Sequence, residues 1–144
     1  LLKTYQIIHM CGKGNIEESL NRTAGYKQYE YIGAELSDIF ALADLVISRA
    51  GANSICELLA LQKPNILIPL SANASRGDQI LNAQSFEKQG FSVVIEEEVI
   101  TPDKLLNMIH ETYKNRERYI TAMKKSTMIN SVDKIVTLIE ETAK

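Results

Sequence analysis

Residues 44–90 decide the fold of this chain, because strands and helices alternate in them without a break. The segment begins with DLVISRAGANSICELLAL (residues 44–61), continues with NILIPL (residues 65–70) and ends in a helix introduced by SRGDQILNA (residues 75–83). A short apolar run that passes through small residues into an amphipathic segment predicts a strand, a tight turn and a helix. The predicted order is strand, glycine turn, helix, strand, loop, helix.

The flanking sequence continues this alternation. Short apolar runs predict the strands, and apolar residues at helical spacing predict helices between them; the strands are expected at residues 5–11, 29–32, 45–47, 66–70 and 91–95. Because these runs are apolar and are separated by helices, they are typical of strands covered on both faces. We therefore predict an α/β fold with a doubly wound, parallel, Rossmann-like sheet.

Helix ends are also marked in the sequence. Asn15, with Glu18 three positions later, is expected to cap a short helix in the manner of a capping box. Thr101 followed by Pro102 predicts another helix start, and Ser131 predicts the cap of a last helix.

Length and composition limit the class of protein. The 144 residues are 45% hydrophobic and 24% charged, which is ordinary for one soluble globular domain spanning residues 1–144. The net charge of −2, without a basic stripe, argues against nucleic-acid binding. No apolar run reaches the roughly 20 residues that span a bilayer. Cys11 and Cys56 are far apart and form no CxxC pair, so we expect reduced thiols of a cytosolic protein rather than a disulfide or a metal site.

The candidate site lies where the strands end, because ligands of such sheets bind outside the carboxyl ends of the strands. The turn at Gly51 and Ala52 leads a strand into a helix N-terminus, where backbone N–H groups and the helix dipole favour an anion. Glu57 follows on the same helix, and its carboxylate can accept hydrogen bonds from both hydroxyls of a ribose. The alternatives are a glycine needed only for turn geometry and a solvated glutamate.

A second group of polar residues follows the next strand. Asp78 and Gln79 place an acceptor and a donor side by side, which suits adjacent sugar hydroxyls; the alternative is that Asp78 only caps a helix. Arg49 and Arg76 are candidate phosphate contacts, and a solvated side chain is the alternative for Arg76. His9 lies in an apolar strand and is expected to be a core or supporting histidine. Without an Asp-x-Asp pair, an HExxH motif or a Ser/His/Asp spacing, the sequence predicts a nucleotide-sugar site with no metal, no cofactor and no nucleophile of its own.

Four stretches give this chain a resemblance to a known family. They are IIHMCGKGN, the YEYI strand, ADLVISRAGANSICELLALQKPNILIPL and SRGDQILNAQSFEKQG, and they cover essentially the whole chain. Through them the chain resembles the C-terminal, donor-binding domain of the MurG family, the UDP-N-acetylglucosamine (UDP-GlcNAc) transferases that convert lipid I to lipid II in peptidoglycan synthesis. The resemblance implies the second half of a GT-B glycosyltransferase.

The resemblance also implies a role for the candidate residues at the donor. Gly51 and Ala52 would present backbone N–H groups to UDP-GlcNAc, and Glu57 would take the ribose hydroxyls. The backbone of Ile32 would meet the uracil edge. Gln79 would bind the GlcNAc hydroxyls with its neighbour Asp78, where family members often carry a second glutamine.

The activity implied by the resemblance is inverting transfer of GlcNAc from UDP to the 4-hydroxyl of membrane-bound MurNAc. The departing UDP would be stabilised by the helix dipole and backbone amides. The implied location is the cytoplasmic face of the cell membrane, contacted peripherally. We expect this chain to be a fragment without a catalytic residue, inactive alone, because the family's acceptor domain with its proposed base, and the first strand of the donor domain, are missing from it.

Two other functions stay open. A separate donor-binding subunit would have the same site, since some eukaryotic UDP-GlcNAc transferases divide the two GT-B halves between separate chains. A UDP-GlcNAc 2-epimerase shares the two-domain architecture. It is disfavoured because Cys56 and Leu58 flank Glu57 where paired glutamates are expected.

Overall fold

The computed structural model describes residues 1–126, without the side chains of Asn73 and Ser75; the helix predicted after Ser131 lies outside the described residues. The chain divides into two compact units, Leu1–Leu42 and a second unit that begins at Ala43. The strands are β1 (Ile7–Met10), β2 (Tyr26–Tyr29), β3 (Val46–Ser48), β4 (Asn65–Leu67) and β5 (Ser92–Val94). The helices are α1 (Leu36–Leu42), α2 (Ala52–Ala60), α3 (Ala72–Ser75), α4 (Asp78–Lys88), α5 (Pro102–Lys114) and α6 (Arg116–Lys124), with short 3-10 turns at Glu18–Leu20 and Glu97–Val99.

The first unit contains two parallel strands, β1 and β2, which pair with Ile7 opposite Tyr26. The prediction of a strand at residues 29–32 is wrong, because β2 lies earlier in the chain. It begins directly after Gly25, whose φ of +78° turns the backbone into the strand. The sequence of β2, YKQY, has polar residues at its centre, so a search for apolar runs misplaces it.

The capping box predicted between Asn15 and Glu18 is also wrong. A 3-10 turn at Glu18–Leu20 stands in place of a helix, and the Glu17 carboxylate caps it by accepting a backbone hydrogen bond of 3.2 Å. The Asn15 side chain instead donates to the carbonyl of Cys11 (3.1 Å). It therefore closes the preceding glycine loop and does not cap the turn.

The second unit contains a three-stranded parallel sheet in the order β3-β4-β5. Val46 lies opposite Asn65, and Asn65 lies opposite Ser92. Parallel neighbours need crossover connections, which α2 and α4 supply. Because such crossovers are right-handed, both helices lie on the same face of the sheet, where they contact each other, and α5 also packs on β4. The predicted parallel α/β architecture is confirmed.

The core of the second unit lies between this sheet and its helices. The predicted inner face of α2 is confirmed, since Ile55, Leu58 and Leu59 are all buried. β4 is buried along its whole length, as expected for the central strand of a parallel sheet. β3 lies at the edge of the described sheet and leaves Ile47 44% exposed, so the expectation of strands covered on both faces holds for β4 but not for β3.

Helix α5 begins as the sequence predicts. The Thr101 side chain accepts a hydrogen bond from the Lys104 backbone N–H (3.3 Å), and Pro102 occupies the first turn. This cap satisfies one of the N–H groups that a helix start leaves without an intrahelical acceptor. The N-cap residues of α2 and α4, Gly51 and Gly77, make no such side-chain bond, so these two helix starts differ from that of α5.

Candidate functional site

The carboxyl ends of β3 and β4 lead into the two segments that the sequence analysis selects. β3 is followed by the turn at residues 49–51 and then by α2. β4 is followed by the loop at residues 68–71, by α3 and by α4. Because β3 and β4 are parallel neighbours, both segments leave the sheet at the same end, where the strands have their carboxyl ends.

The N-terminus of α2 has no side-chain cap. Gly51 is the N-cap residue with an extended backbone (φ −66°, ψ 142°), and the first helical hydrogen bond runs from the Ile55 N–H to the Gly51 carbonyl (3.0 Å). The N–H groups of Ala52, Asn53 and Ser54 therefore have no acceptor inside the helix. A Cβ at Gly51 would meet Ser54 Oγ at 3.9 Å, so the backbone is open to close approach. Together with the helix dipole, these amides can bind a phosphate.

Glu57 lies on the exposed face of the same helix. Asn53 and Ser54, four and three positions earlier, are exposed beside it, so the carboxylate follows the helix N-terminus along one side of α2. Its distance from Ala52 along the helix axis is about 7.5 Å, at 1.5 Å per residue. This geometry suits a diphosphate at the amides and a ribose at the carboxylate.

The turn before α2 is bonded to side chains or carbonyls of three other elements. Arg49 Nη2 lies 2.6 Å from Glu97 Oε1, and Arg49 Nη1 donates to the carbonyl of Ile68 (3.3 Å). Asn82 of α4 donates from Nδ2 to the carbonyl of Ala50 (3.0 Å), and Ala50 is fully buried. The guanidinium that the sequence offers as a phosphate contact is thus bonded to acceptors of the protein itself.

Helix α4 begins in a different way. Its N-cap is Gly77, with a left-handed backbone (φ 86°), and Arg76 before it is left-handed as well (φ 54°). These two residues turn the chain so that Asp78 is already the first helical residue. The alternative that Asp78 caps α4 is therefore wrong. The Asp78 and Arg76 side chains are both exposed at this helix start.

Gln79 is held at one end of its side chain. Its Oε1 accepts a hydrogen bond from the Leu70 backbone N–H (3.0 Å), which ties the loop after β4 to α4. Since a backbone N–H can only donate, this bond fixes the orientation of the amide and leaves the NH2 group for other partners. Gln79 can therefore donate hydrogen bonds to a sugar hydroxyl through Nε2.

The loop after β4 also borders a depression of about 240 Å³. Leu70 and Ser71 of the loop line it, together with Ile80 of α4 and two acidic residues after β5, Glu96 and Glu98. Carboxylates attract hydroxyl donors and repel phosphates. The chemistry of the depression thus suits a sugar better than a diphosphate.

Among residues 1–126, the carboxyl groups of Glu97 and Glu17 have pKa values below their ordinary range. The hydrogen bond from the Arg49 side chain lowers the pKa of Glu97 from its ordinary value; burial opposes this effect, and the charge of Arg49 makes the smallest contribution, in the lowering direction. In the first unit, the hydrogen bonds from the Ser19 side chain and backbone lower the pKa of Glu17. Glu97 is thus ionised, and paired with Arg49, at neutral pH.

Two of the predicted residues lie in the first unit. Ile32 follows β2 and is 7% exposed, and no hydrogen bond within residues 1–126 engages its backbone. His9 is exposed in β1, and its Nδ1 lies 2.7 Å from the Tyr26 hydroxyl. The expectation of a core position for His9 is wrong, because β1 belongs to a two-stranded sheet that leaves most of its side chains exposed.

The part of the chain that the structure describes contains no group of three or more His, Cys, Asp or Glu side chains able to hold a metal ion. Over the same residues, none of the helices has both the length and the apolar character needed to cross a membrane. Cys11 is half-buried and Cys56 is exposed on α2, and both are free thiols.

Asn82 and Glu97 are residues of this site that the sequence analysis missed. Asn82 lies three positions after Gln79, and that spacing was a usable signal because it puts two amides on the same side of α4. Glu97 bonds Arg49 across 48 residues of sequence. No local pattern predicts a pairing over that separation.

Comparison with known proteins places the chain among glycosyltransferases. The model of the glycosyltransferase family 28 C-terminal domain matches residues 1–139. A protein of Lachnoclostridium phytofermentans is 64% identical over 98% of this chain and 40% of its own length. A protein of Clostridium perfringens is 61% identical over 99% of this chain and 40% of its own length. Both are named UDP-N-acetylglucosamine–N-acetylmuramyl-(pentapeptide) pyrophosphoryl-undecaprenol N-acetylglucosamine transferase, and this chain spans about 40% of the length of these relatives.

A solved structure supports the fold. The crystal structure of Acinetobacter baumannii MurG superimposes with a TM-score of 0.73 over 95% of this chain and 41% of that one, at 24% identity. The predicted architecture, the C-terminal half of a GT-B glycosyltransferase, is confirmed.

Proposed function

Because this chain belongs to the family of glycosyltransferase family 28 C-terminal domains, we propose that it is the donor-binding half of a UDP-GlcNAc transferase. The full protein would transfer GlcNAc to lipid I and give lipid II, as the names of its relatives suggest. One observation carries the proposal. The N-terminus of α2 presents three amides without an intrahelical acceptor, and the Glu57 carboxylate follows on the same exposed face.

At the nucleotide, the backbone amides of Gly51 and Ala52 bind the diphosphate, and Glu57 accepts hydrogen bonds from the ribose hydroxyls. Arg76, exposed before α4, adds a positive charge for a phosphate. The backbone of Ile32 contacts the uracil edge, which is consistent with its lack of hydrogen bonds among the described residues. For Arg49 the contacts favour a different role.

At the sugar, Gln79 donates from Nε2 to a GlcNAc hydroxyl while Leu70 holds its Oε1. The exposed carboxylate of Asp78 accepts from a second hydroxyl. The depression after β4, with its two carboxylates, accommodates the sugar rather than the phosphates. Donor and acceptor groups on adjacent residues of α4 would thus distinguish hydroxyl positions on the ring.

In the reaction, the acceptor's 4-hydroxyl oxygen forms the new bond to C1 of GlcNAc, the bond from C1 to the β-phosphate oxygen breaks, and the hydroxyl proton passes to a base. This chain contributes the stabilisation of the leaving UDP by the amides and dipole of α2. The base and the lipid I site belong to sequence outside it. We also propose that residues 1–144 act as one Rossmann-like UDP-GlcNAc-binding domain, and that the protein works at the cytoplasmic face of the membrane as a peripheral protein.

A single-chain transferase is favoured over a separate donor-binding subunit. In the two relatives the matched segment is part of one longer chain, of which it makes up 40%.

The proposal is tested by the Glu57→Ala substitution, which removes the carboxylate. The variant is made in the full gene product, including any sequence that flanks this chain. Isothermal titration compares UDP-GlcNAc with its 2′,3′-dideoxyribose analogue. The Glu57→Ala variant should bind UDP-GlcNAc at least about tenfold more weakly, because a desolvated hydrogen bond to a charged group is worth roughly 1.5–3 kcal/mol. It should bind the analogue as the wild type does.

Glu117→Ala is the matched control, since it makes the same charge change on the exposed face of α6. It should leave both affinities unchanged. A loss for Glu57→Ala below roughly 0.5 kcal/mol, the scale of an ordinary surface substitution, would contradict the ribose role. Wild-type protein that does not bind UDP-GlcNAc would contradict the proposed function itself.

A further inference from the structure

We infer that Arg49 is a positioning residue of the donor site: it holds the turn before α2 in place through Glu97 and Ile68 and does not itself bind the diphosphate. This inference rests on the proposed function and concerns the same site. It differs from the role that the sequence predicts for Arg49, a direct phosphate contact.

The guanidinium of Arg49 joins three segments at the carboxyl ends of the strands. Arg49 itself follows β3, its Nη1 donates to the carbonyl of Ile68 after β4, and its Nη2 pairs with Glu97 after β5. A planar fork of donors can engage two acceptors at once, which a lysine ammonium cannot do with the same geometry. Arg49 therefore spans the ends of all three strands of the described sheet.

The residues between Arg49 and α2 leave little freedom in the turn. Ala50 is fully buried, and its carbonyl accepts a hydrogen bond from Asn82 Nδ2. Gly51, next in the chain, is the N-cap of α2. The orientation of the first amides of α2 thus depends on a turn held by Arg49 on one side and by Asn82 on the other.

The charges around Arg49 disfavour direct phosphate binding. Glu97, which pairs with the Arg49 guanidinium, is the middle one of three consecutive glutamates at residues 96–98, and the other two line the depression. A diphosphate that displaced Glu97 would have to approach a net negative segment. The amides of α2 carry no such counter-charge. The phosphate is therefore better placed at α2 than at Arg49.

The test is a double-mutant cycle on the affinity for UDP, measured by isothermal titration on the protein with its flanking sequence. Arg49→Ala and Glu97→Ala should each weaken UDP binding by about three- to fivefold, the scale of a half-exposed ion pair. The double variant should bind no more weakly than Arg49→Ala alone, because both substitutions break the same link. Arg118→Ala and Glu117→Ala, which alter exposed charges on α6, are the matched controls and should change nothing.

A conservative variant separates positioning from direct contact. Arg49→Lys keeps the charge but lacks the two separate nitrogens with which Arg49 reaches Ile68 and Glu97, so it should bind UDP nearly as weakly as Arg49→Ala. If Arg49 touched the phosphate, lysine would restore most of the affinity as a point charge. Thermal unfolding of each variant checks that the fold is intact, as expected for a side chain that is 46% exposed.

Three results would overturn the inference. They are rescue of UDP affinity by Arg49→Lys, unchanged or tighter binding by Glu97→Ala, and additive losses in the double variant. Each would leave the proposed function standing, because the wild type would still bind UDP. Failure of the wild type to bind any UDP ligand would instead contradict the proposed function.

Discussion

The starts of α2 and α4 both follow the carboxyl ends of strands in the same sheet, yet different interactions hold them in position. The start of α2 has an ordinary extended backbone at Gly51 and owes its position to side chains, through Arg49 and Asn82. The start of α4 owes its position to backbone conformation, through the left-handed Gly77 and its left-handed neighbour. A helix N-terminus can thus be positioned either by bonds from other elements or by a turn that glycine makes possible.

The same substitution at the two N-caps should therefore have opposite effects. Gly77→Ser should lower the free energy of unfolding by about 1–2 kcal/mol, because a side chain is strained in the left-handed region. Gly51→Ser should raise it by a few tenths of a kcal/mol, roughly the advantage of serine over glycine at an extended N-cap. Urea unfolding of both variants measures the difference. Equal losses at both sites would show that the two starts do not differ in this way.

Gly51→Ser carries a second expectation in the same experiment. The new hydroxyl would accept a hydrogen bond from the Asn53 or Ser54 N–H and would crowd the neighbouring amides that we assign to the diphosphate, so UDP affinity should fall while stability rises. Tighter UDP binding by this variant would contradict that assignment.

Removal of the Asn82 side chain should make local unfolding easier at the start of α2 but not at the start of α4. Asn82→Ala deletes the hydrogen bond to the buried carbonyl of Ala50 and should cost about 1 kcal/mol of unfolding free energy. Amide hydrogen exchange should quicken at the start of α2 and stay unchanged at the start of α4. Asn107→Ala, on α5, serves as an asparagine control away from this turn. Uniform quickening at both helix starts would mean that Asn82 supports the unit as a whole.

Gln79→Glu should change ligand choice with little change in stability. A glutamate still accepts from the Leu70 N–H, so the loop stays bonded, but the two Nε2 donors are lost. We expect the affinity for UDP-GlcNAc to fall about threefold to tenfold while that for UDP is nearly unchanged, since one neutral hydrogen bond is worth about 1 kcal/mol. Titration with both ligands checks this. Equal losses for both would place Gln79 away from the sugar.

The smallest effect is expected from pH. Arg49 lowers the pKa of Glu97 below 4.5, so this pair stabilises the fold fully above that pH and loses its contribution as the pH falls through the lowered pKa. The stability difference between wild type and Glu97→Ala should be constant from pH 7 to about 5 and shrink below pH 4.5. Chemical unfolding of both proteins across this range measures it. A difference that grows on acidification would contradict the sign.

Local chemistry explains the parts of the fold that the sequence predicts. Thr101 and Pro102 mark a helix start with their own side chains, and the helix begins there. The apolar stripe of α2 predicts its buried face, because burial follows helical periodicity. In contrast, β2 has polar residues at its centre and Asn15 bonds a carbonyl four residues back, so patterns of apolarity and capping fail at both places.

The candidate site likewise contains features that the sequence predicts and features that it does not. The uncapped glycine and the exposed Glu57 follow from the order of residues along one helix, and the sequence predicts them. The pairing of Arg49 with Glu97 depends on strands brought side by side, and the bond from Gln79 to Leu70 depends on how the loop after β4 folds back against α4. Such contacts between distant residues decide whether a polar group faces a ligand or the protein, and local sequence does not determine that.

The exposed Cys56 of α2 has a practical consequence. Its thiol precedes Glu57 in the chain, on the helix whose N-terminus we assign to the diphosphate. An environment-sensitive dye attached there would change its emission when a nucleotide arrives, without an engineered labelling position. Cys11 is half-buried and should be labelled more slowly. Cys56 thus offers a natural attachment point for a fluorescent dye, with which the titrations described above can be followed in real time.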